Sequence, residues 1–198
     1  MKTFNAHPPI VLAFSTHDPS GAAGIQADIE SINRNGARCV SVLTALTAQN
    51  TGTFETLLPQ QPVNFIEQAT MLLADINIDA FKIGLVGSAE LVNIIADIVA
   101  RYPEPERGAT PEWRDRQGRV INTLYRADTE PVHFDWDRLP GVYHGSGCTL
   151  AAAIAAQLAQ HNDVVKAVTV AQQYCWQALA HGYPIGKHQH HPDRDFQE

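Results

Sequence analysis

The segment H-G-S-G-C-T, His144 to Thr149, gathers the residue types best suited to chemistry at the closest spacing in the chain. Gly145, Ser146 and Gly147 lead into C-T-L-A-A-A-I-A-A-Q-L, whose alanine content favours a helix. A helix start leaves backbone N–H groups unpaired, and the helix dipole places partial positive charge there. Glycines let the backbone approach an anion closely, so G-S-G at this point forms a cradle for a phosphoryl group. Cys148 falls inside that positive field, which favours thiolate character. A partly ionised thiol beside an anion hole could accept the proton of an attacking hydroxyl during phosphoryl transfer. Taken alone, the segment reads equally well as a turn before a helix with Cys148 as a small buried hydrophobe, because short glycine motifs are weak signals.

Such a segment needs elements to hold it. Ile10 to Phe14 is a continuous apolar run, the pattern of a strand buried on both faces. The turn-rich D-P-S-G-A-A-G, Asp18 to Gly24, follows. Ile25, Ile29 and Ile32 then mark a helix that closes near Asn35-Gly36. Cys39 to Leu46 and Ala80 to Val86 read as further core strands, Thr53 to Leu58 as a more exposed one, and Val63 to Ala74 as a helix. Leu91, Ile94, Ile95, Ile98 and Val99 recur at helical spacing. Alternation of this kind indicates an α/β domain with a mainly parallel sheet flanked by helices. Ligands gather outside the carboxyl ends of such strands, here Ser15 to Gly24, Thr47 to Gly52 and Gly84 to Ser88.

The pattern breaks after Tyr102. Residues 103–118 are rich in Pro, Gly and charge and read as a surface loop. Strand character resumes at Val120 to Tyr125, with a hairpin partner at Pro131 to Phe134. Two helices follow, one to about Gln160 and one from Val164 to Ala180, and residues 183–198 read as an irregular, flexible polar tail. The whole chain, residues 1–198, is taken as a single domain.

Composition sets outer limits. A hydrophobic share of 44% with 18% charged residues is that of a soluble globular chain. The net charge of −7, with Lys and Arg scattered, argues against nucleic acid as a partner. No stretch reaches the roughly 20 apolar residues of a membrane span, and Met1 to Pro9 lacks the apolar core of a secretory signal. Cys39, Cys148 and Cys175 are far apart and odd in number, which fits a reducing cytoplasm better than a disulfide framework or zinc site.

Four segments together carry a resemblance: D-P-S-G-A-A-G-I-Q-A-D (Asp18 to Asp28), T-A-L-T-A-Q-N-T (Thr44 to Thr51), F-K-I-G (Phe81 to Gly84) and H-G-S-G-C-T. In this order they resemble the hydroxymethylpyrimidine/phosphomethylpyrimidine kinases of thiamine biosynthesis, within the ribokinase-like superfamily. The resemblance covers roughly the first hundred residues and the region from Val120 onward. It implies phosphorylation of 4-amino-5-hydroxymethyl-2-methylpyrimidine, and then of its monophosphate, with ATP and Mg²⁺. It implies that Gln49 reads the aminopyrimidine, its amide offering one acceptor and two donors. Asp28 would line the same pocket, Ala23, Gly24, Thr47 and Leu85 would form its walls, and Cys148 would sit at the transferred phosphoryl with Gly145, Ser146 and Gly147 around it. Relatives that pair as dimers make a homodimer an expectation; the metal ligands stay unassigned.

The chain departs from that family in length. Family members carry roughly two further βα units of about 30 residues each, which here would fall between Tyr102 and about Gly108. Their strand ends D-P-V and T-P-N are absent, and Gly108-Ala109-Thr110 is a loose remnant of a later glycine turn. An alternative therefore stands beside the kinase: a shortened paralogue that binds the pyrimidine without turnover. Asn64 to Glu67 spells N-x-x-E and Thr110-Pro111-Glu112 approaches T-P-N, but the first reads as helix capping and surface, the second as coincidence. His188, His190 and His191 read as part of the tail rather than as a metal site. Trp136 and Trp176 read as core or lid-packing aromatics.

Overall fold

The computed structural model describes residues 7–102, 112–116 and 118–197. The Gly108–Thr110 turn, and Thr110-Pro111 of the T-P-E triplet, lie outside them. At the centre runs β1 (Ile10–His17), whose Val11, Leu12, Ala13 and Phe14 are completely buried. Successive strand side chains point to opposite faces, so this strand feeds two cores at once. Parallel neighbours β2 (Arg38–Gln49) and β4 (Ala80–Ile83) flank it, and β3 (Phe54–Pro59) adds an antiparallel edge, giving the order β3-β2-β1-β4. The expected mainly parallel sheet is present. Strand β4 stops at Ile83 instead of Val86: Gly84 N–H still donates to Phe14 O of β1 at 2.7 Å, but Leu85 O then turns to the Thr44 hydroxyl at 2.7 Å.

On one face, α1 (Gly24–Arg34) and α4 (Ser146–Ala159) cover Val11 and Ala13. On the other, Phe65 and Ala69 of α2 (Pro62–Asp75) and Leu91, Ile95 and Ile98 of α3 (Ala89–Val99) cover Leu12, Phe14 and Val42. Each fully buried Leu or Phe contributes about 1.5–3 kcal/mol by leaving water. Helix α4 is itself buried on two sides. Its Ala152, Ala155, Ala156 and Ala159 meet the sheet and α1, while Ala153 and Ile154 meet α5 (Val164–Ala180). Small side chains let three layers approach this closely. The cradle segment thus starts a helix that packing holds fixed.

Beyond the main sheet, β5 (Glu112–Arg116), β6 (Arg119–Leu124) and β7 (Val132–Asp137) form an antiparallel sheet of their own. Residues 112–116, expected as loop, are therefore a strand. An edge strand is held by its backbone ladder and tolerates charge, so it need not show the apolar run by which strands are recognised. The tail departs from expectation more strongly. Short strands β8 (Tyr183–Pro184) and β9 (His190–His191) pair with each other, and His191, Arg194 and Phe196 are buried. Phe196 joins the α4–α5 core. Polarity misled here because the guanidinium of Arg194 is satisfied by other segments rather than by water. Asn64 is a surface residue and not a cap, since α2 begins at Pro62 behind Gln61 without a side-chain cap.

Candidate active site

Strand β1 is followed by Asp18, a completely buried carboxylate at the entry of the D-P-S-G-A-A-G turn. Its Oδ1 accepts from the Ser20 amide (2.9 Å) and hydroxyl (2.8 Å), and its Oδ2 accepts from the Ala23 amide (2.9 Å). His144 Nε2 lies 3.1 Å from Oδ2 and must carry the shared proton, because an ionised carboxylate only accepts. Burial alone would raise the Asp18 pKa, but the bonds from His144, Ser20 and Ala23 outweigh it and hold the carboxyl well below the usual range. One buried anion thus fixes the turn before α1 and ties it to the segment before α4. Neither Asp18 nor His144 stood out in the sequence as a site residue, although both lie inside motifs that did.

The second contact between these segments is steric. Gly145 has φ +85, and a Cβ there would fall 1.7 Å from Ala22 O. Only glycine permits that approach. Gly24 has the same constraint on the other side: at φ +62, a Cβ would meet Thr16 O at 2.3 Å. Gly145 is the N-cap of α4, and the Thr149 amide is the first to reach back, to Gly145 O at 2.9 Å. The amides of Ser146, Gly147 and Cys148 therefore belong to the open first turn. A methyl group added at Gly147 would meet nothing within 4 Å, so the space beside the turn is open. Cys148, the third residue of α4, is a half-buried free thiol. The helix start expected from the sequence is present, and the Cys148 amide joins those of Ser146 and Gly147 in its first turn.

Gln49 ends β2, half-buried. Its Nε2 donates to Thr47 Oγ1 (2.8 Å), whose hydroxyl donates to His17 O (2.8 Å). This chain fixes which end of the amide is oxygen and leaves Oε1 free to accept. Ala23 caps α1, and Leu85, half-exposed, is anchored through its carbonyl to Thr44. Asp28 differs from expectation. It is completely buried, and Lys82 of β4 meets it: Nζ donates to Oδ2 at 2.8 Å and makes ionic contact with Oδ1 at 2.7 Å. Burial raises the Asp28 pKa above its ordinary value, and the Lys82 charge offsets only part of that. The carboxylate is closed off from solvent, its charge met by a lysine 54 residues away.

A cleft of about 530 Å³ opens from the cradle itself, lined by Ser146 and Gly147 at one end and by Asn122, Trp136, Val142 and Trp176 further along. Trp136 and Trp176 stack with ring centroids 6.4 Å apart. Gln172 Oε1 takes hydrogen bonds from Trp136 Nε1 (2.9 Å) and Asn122 Nδ2 (2.6 Å), and Trp176 Nε1 donates to Asp137 O (2.9 Å). The tryptophans, expected as packing aromatics, are walls of this cleft. Among the described residues no group of three or more His, Cys, Asp or Glu could hold a metal ion. No helix among them is long and apolar enough to cross a membrane.

The sequence profile of the phosphomethylpyrimidine kinase family matches residues 18–107 and 108–193. A hydroxymethylpyrimidine/phosphomethylpyrimidine kinase of Streptomyces coelicolor is 28% identical over 250 aligned positions, covering 90% of this chain and 91% of that protein. Solved structures that share the fold include two kinases. Pyridoxal kinase of Staphylococcus aureus in complex with AMP-PCP and pyridoxal superposes with a TM-score of 0.80 at 19% identity, over 94% of each chain. A phosphomethylpyrimidine kinase of Clostridium difficile gives 0.70 at 21% identity, over 86% of this chain and 99% of that one.

Proposed function

The chain belongs to the phosphomethylpyrimidine kinase family, and from that premise we propose that it transfers a phosphoryl group from ATP to 4-amino-5-hydroxymethyl-2-methylpyrimidine and then to the resulting monophosphate. The observation that carries this reading is the shared boundary of cleft and cradle. Ser146 and Gly147 belong to both, so a nucleotide lying in the cleft would end with its terminal phosphate at the start of α4. The volume falls within the roughly 300–1,000 Å³ usual for small-molecule sites, and the paired tryptophans offer an apolar, aromatic wall.

The pyrimidine would lie over the ends of β1, β2 and β4. Gln49 Oε1, left free by the Thr47 bond, would accept from the exocyclic amine, and the second Nε2 hydrogen would serve a ring nitrogen. Ala23, Gly24, Thr47 and Leu85 would wall the ring, with the Asp28–Lys82 pair as its polar floor. The amides of Ser146, Gly147 and Cys148 would hold the oxygens of the transferring phosphoryl, where charge accumulates. Cys148 would take the hydroxyl proton as the new O–P bond forms and the bond to the leaving diphosphate breaks. Magnesium, when bound, would supply neutralisation of phosphate charge; no set of ligands for it is assigned among the described residues. The Asp18–His144 contact keeps both halves of this site in register.

A second reading, a shortened paralogue that binds the pyrimidine without turnover, draws support from β4. Among the described residues it has a strand partner on one side only, and the alignment to the Streptomyces kinase runs over 250 positions against a chain of 198 residues. A coupled assay with the hydroxymethylpyrimidine and Mg-ATP separates the two. Turnover supports the kinase; pyrimidine binding by calorimetry with no ADP release supports the paralogue. In the active case Cys148→Ala should lower kcat by about 10²-fold or more, and unchanged turnover would remove the thiol from the mechanism.

A further inference from the structure

Arg194 lies in the last turn of the chain, yet its side chain is only 3% exposed. Its guanidinium is divided among three segments. Nη2 donates to Ala22 O, and Nη1 donates to Gly21 O at 3.4 Å and to Glu30 Oε2 at 3.0 Å. Nε donates to Thr149 Oγ1 at 2.9 Å, and that hydroxyl donates in turn to Gly145 O at 2.9 Å. The same Nη2 lies 2.9 Å from where a Cβ of Gly145 would stand. The cation therefore lies beside Gly145 and is linked to its carbonyl through the Thr149 hydroxyl.

Burying a guanidinium is costly unless its charge is used or cancelled. Glu30, its ion-pair partner, is 54% exposed and screened by water, so cancellation by that partner is incomplete; the buried Asp28 carboxylate, shared with Lys82, also lies within electrostatic reach. The chain nevertheless secures the position: the Tyr174 hydroxyl donates to Arg194 O at 3.0 Å, the Asp193 amide donates to Ala178 O at 2.9 Å, and Arg34 Nη2 donates to Phe196 O at 2.9 Å. These contacts bring a positive charge behind the amides of α4, where the helix dipole has the same sign.

We propose that Arg194 is a positioning residue of the phosphoryl-transfer site, locking the Gly21–Ala22 turn against the first turn of α4 and adding a buried positive charge behind the phosphoryl cradle. The inference rests on the reading of Gly145 to Cys148 as that cradle. Its consequence is that the C-terminal strap belongs to the site, although Arg194 itself touches no substrate.

The test uses the full chain with Arg194→Lys and Arg194→Met, foldedness checked by circular dichroism, and two readouts. In steady-state assays Arg194→Met should lose about tenfold in kcat with the pyrimidine KM within about twofold. In calorimetry with inorganic pyrophosphate, the Met variant should bind about tenfold more weakly and the Lys variant should recover most of the affinity, since it restores charge without the planar fork. For the same reason Arg194→Lys should keep a reduced kcat, and this arm suffices if the Met variant does not fold. Wild-type kcat and pyrophosphate affinity in the folded variants would overturn the proposal, as would a change confined to the pyrimidine KM. A wild-type protein that binds pyrophosphate but turns nothing over counts against the kinase reading only, and weaker pyrophosphate binding in the variants would still support the role of Arg194. A wild-type protein that does not bind pyrophosphate would overturn it.

Discussion

Asp18 and Asp28 stand ten residues apart in the sequence, both completely buried, and their surroundings push them in opposite directions. Asp18 receives four hydrogen bonds from donors and is held ionised; Asp28 faces a single lysine and is lifted by burial. The signs yield a pH prediction. Because the folded pKa of Asp18 lies below its ordinary value of 3.8, the unfolded chain binds the extra proton between the two. Its stabilisation is present in full above the ordinary value and is lost as pH falls through that window. Asp28, raised, has the opposite sign, so the acid-side loss belongs to Asp18. Urea unfolding from about pH 6 to about pH 3 should show a flatter acid limb in Asp18→Asn than in the wild type. Gln49 supports a second prediction at this scale. Its amide is aligned by Thr47, so Gln49→Ala should raise the pyrimidine KM by roughly tenfold to a hundredfold and change kcat less.

Helix α4 is the element on which the site depends. Alanines at 152, 153, 155, 156 and 159 are buried against both α1 and α5, and this close approach brings Gly145 within contact of Ala22. Sequence reasoning recognised the helix from composition, but its burial on two sides needs α1 and β1, more than a hundred residues away, as well as the adjacent α5. Ala156→Leu, at a completely buried position, should cost about 1–3 kcal/mol through overpacking, read as a lower urea midpoint. If the displacement reaches the helix start, turnover falls further than stability does. By contrast β5 was illegible in the sequence: its pairing with β6 is a backbone property, and periodicity reports side-chain burial only.

For the molecule as a whole, the C-terminal strap is the largest departure from what the sequence suggests. Histidines and charged residues there read as solvated, yet the segment from Gln189 onward contacts the turns before α1 and α4, the β2–β3 turn and α5. Gln189 N–H donates to Thr51 O at 3.1 Å beside the β2–β3 turn, His190 N–H donates to Val142 O at 2.8 Å, and Phe196 packs on Tyr174 and stacks on His181 at 5.2 Å. Phe196→Ala should therefore destabilise the protein by about 3–5 kcal/mol, as a core position does, despite lying near the end of the chain. Thermal unfolding checks this; a change under about 0.5 kcal/mol would show the strap to be weakly held.

The sequence by itself determined the elements with strong periodicity and the motifs with unusual spacing. The parallel core, both long C-terminal helices and the glycine turn that starts α4 were legible because apolar recurrence and glycine punctuation are local properties. Only the tertiary structure decided which polar groups meet. Asp28 finds Lys82, Asp18 finds His144, and Arg194 finds Ala22 and Thr149 across 54, 126 and as many as 172 residues of chain. A charged side chain reads as solvated until a distant partner satisfies it. Burial, which turns such a pair from surface decoration into the frame of a site, is set by the packing of the whole fold.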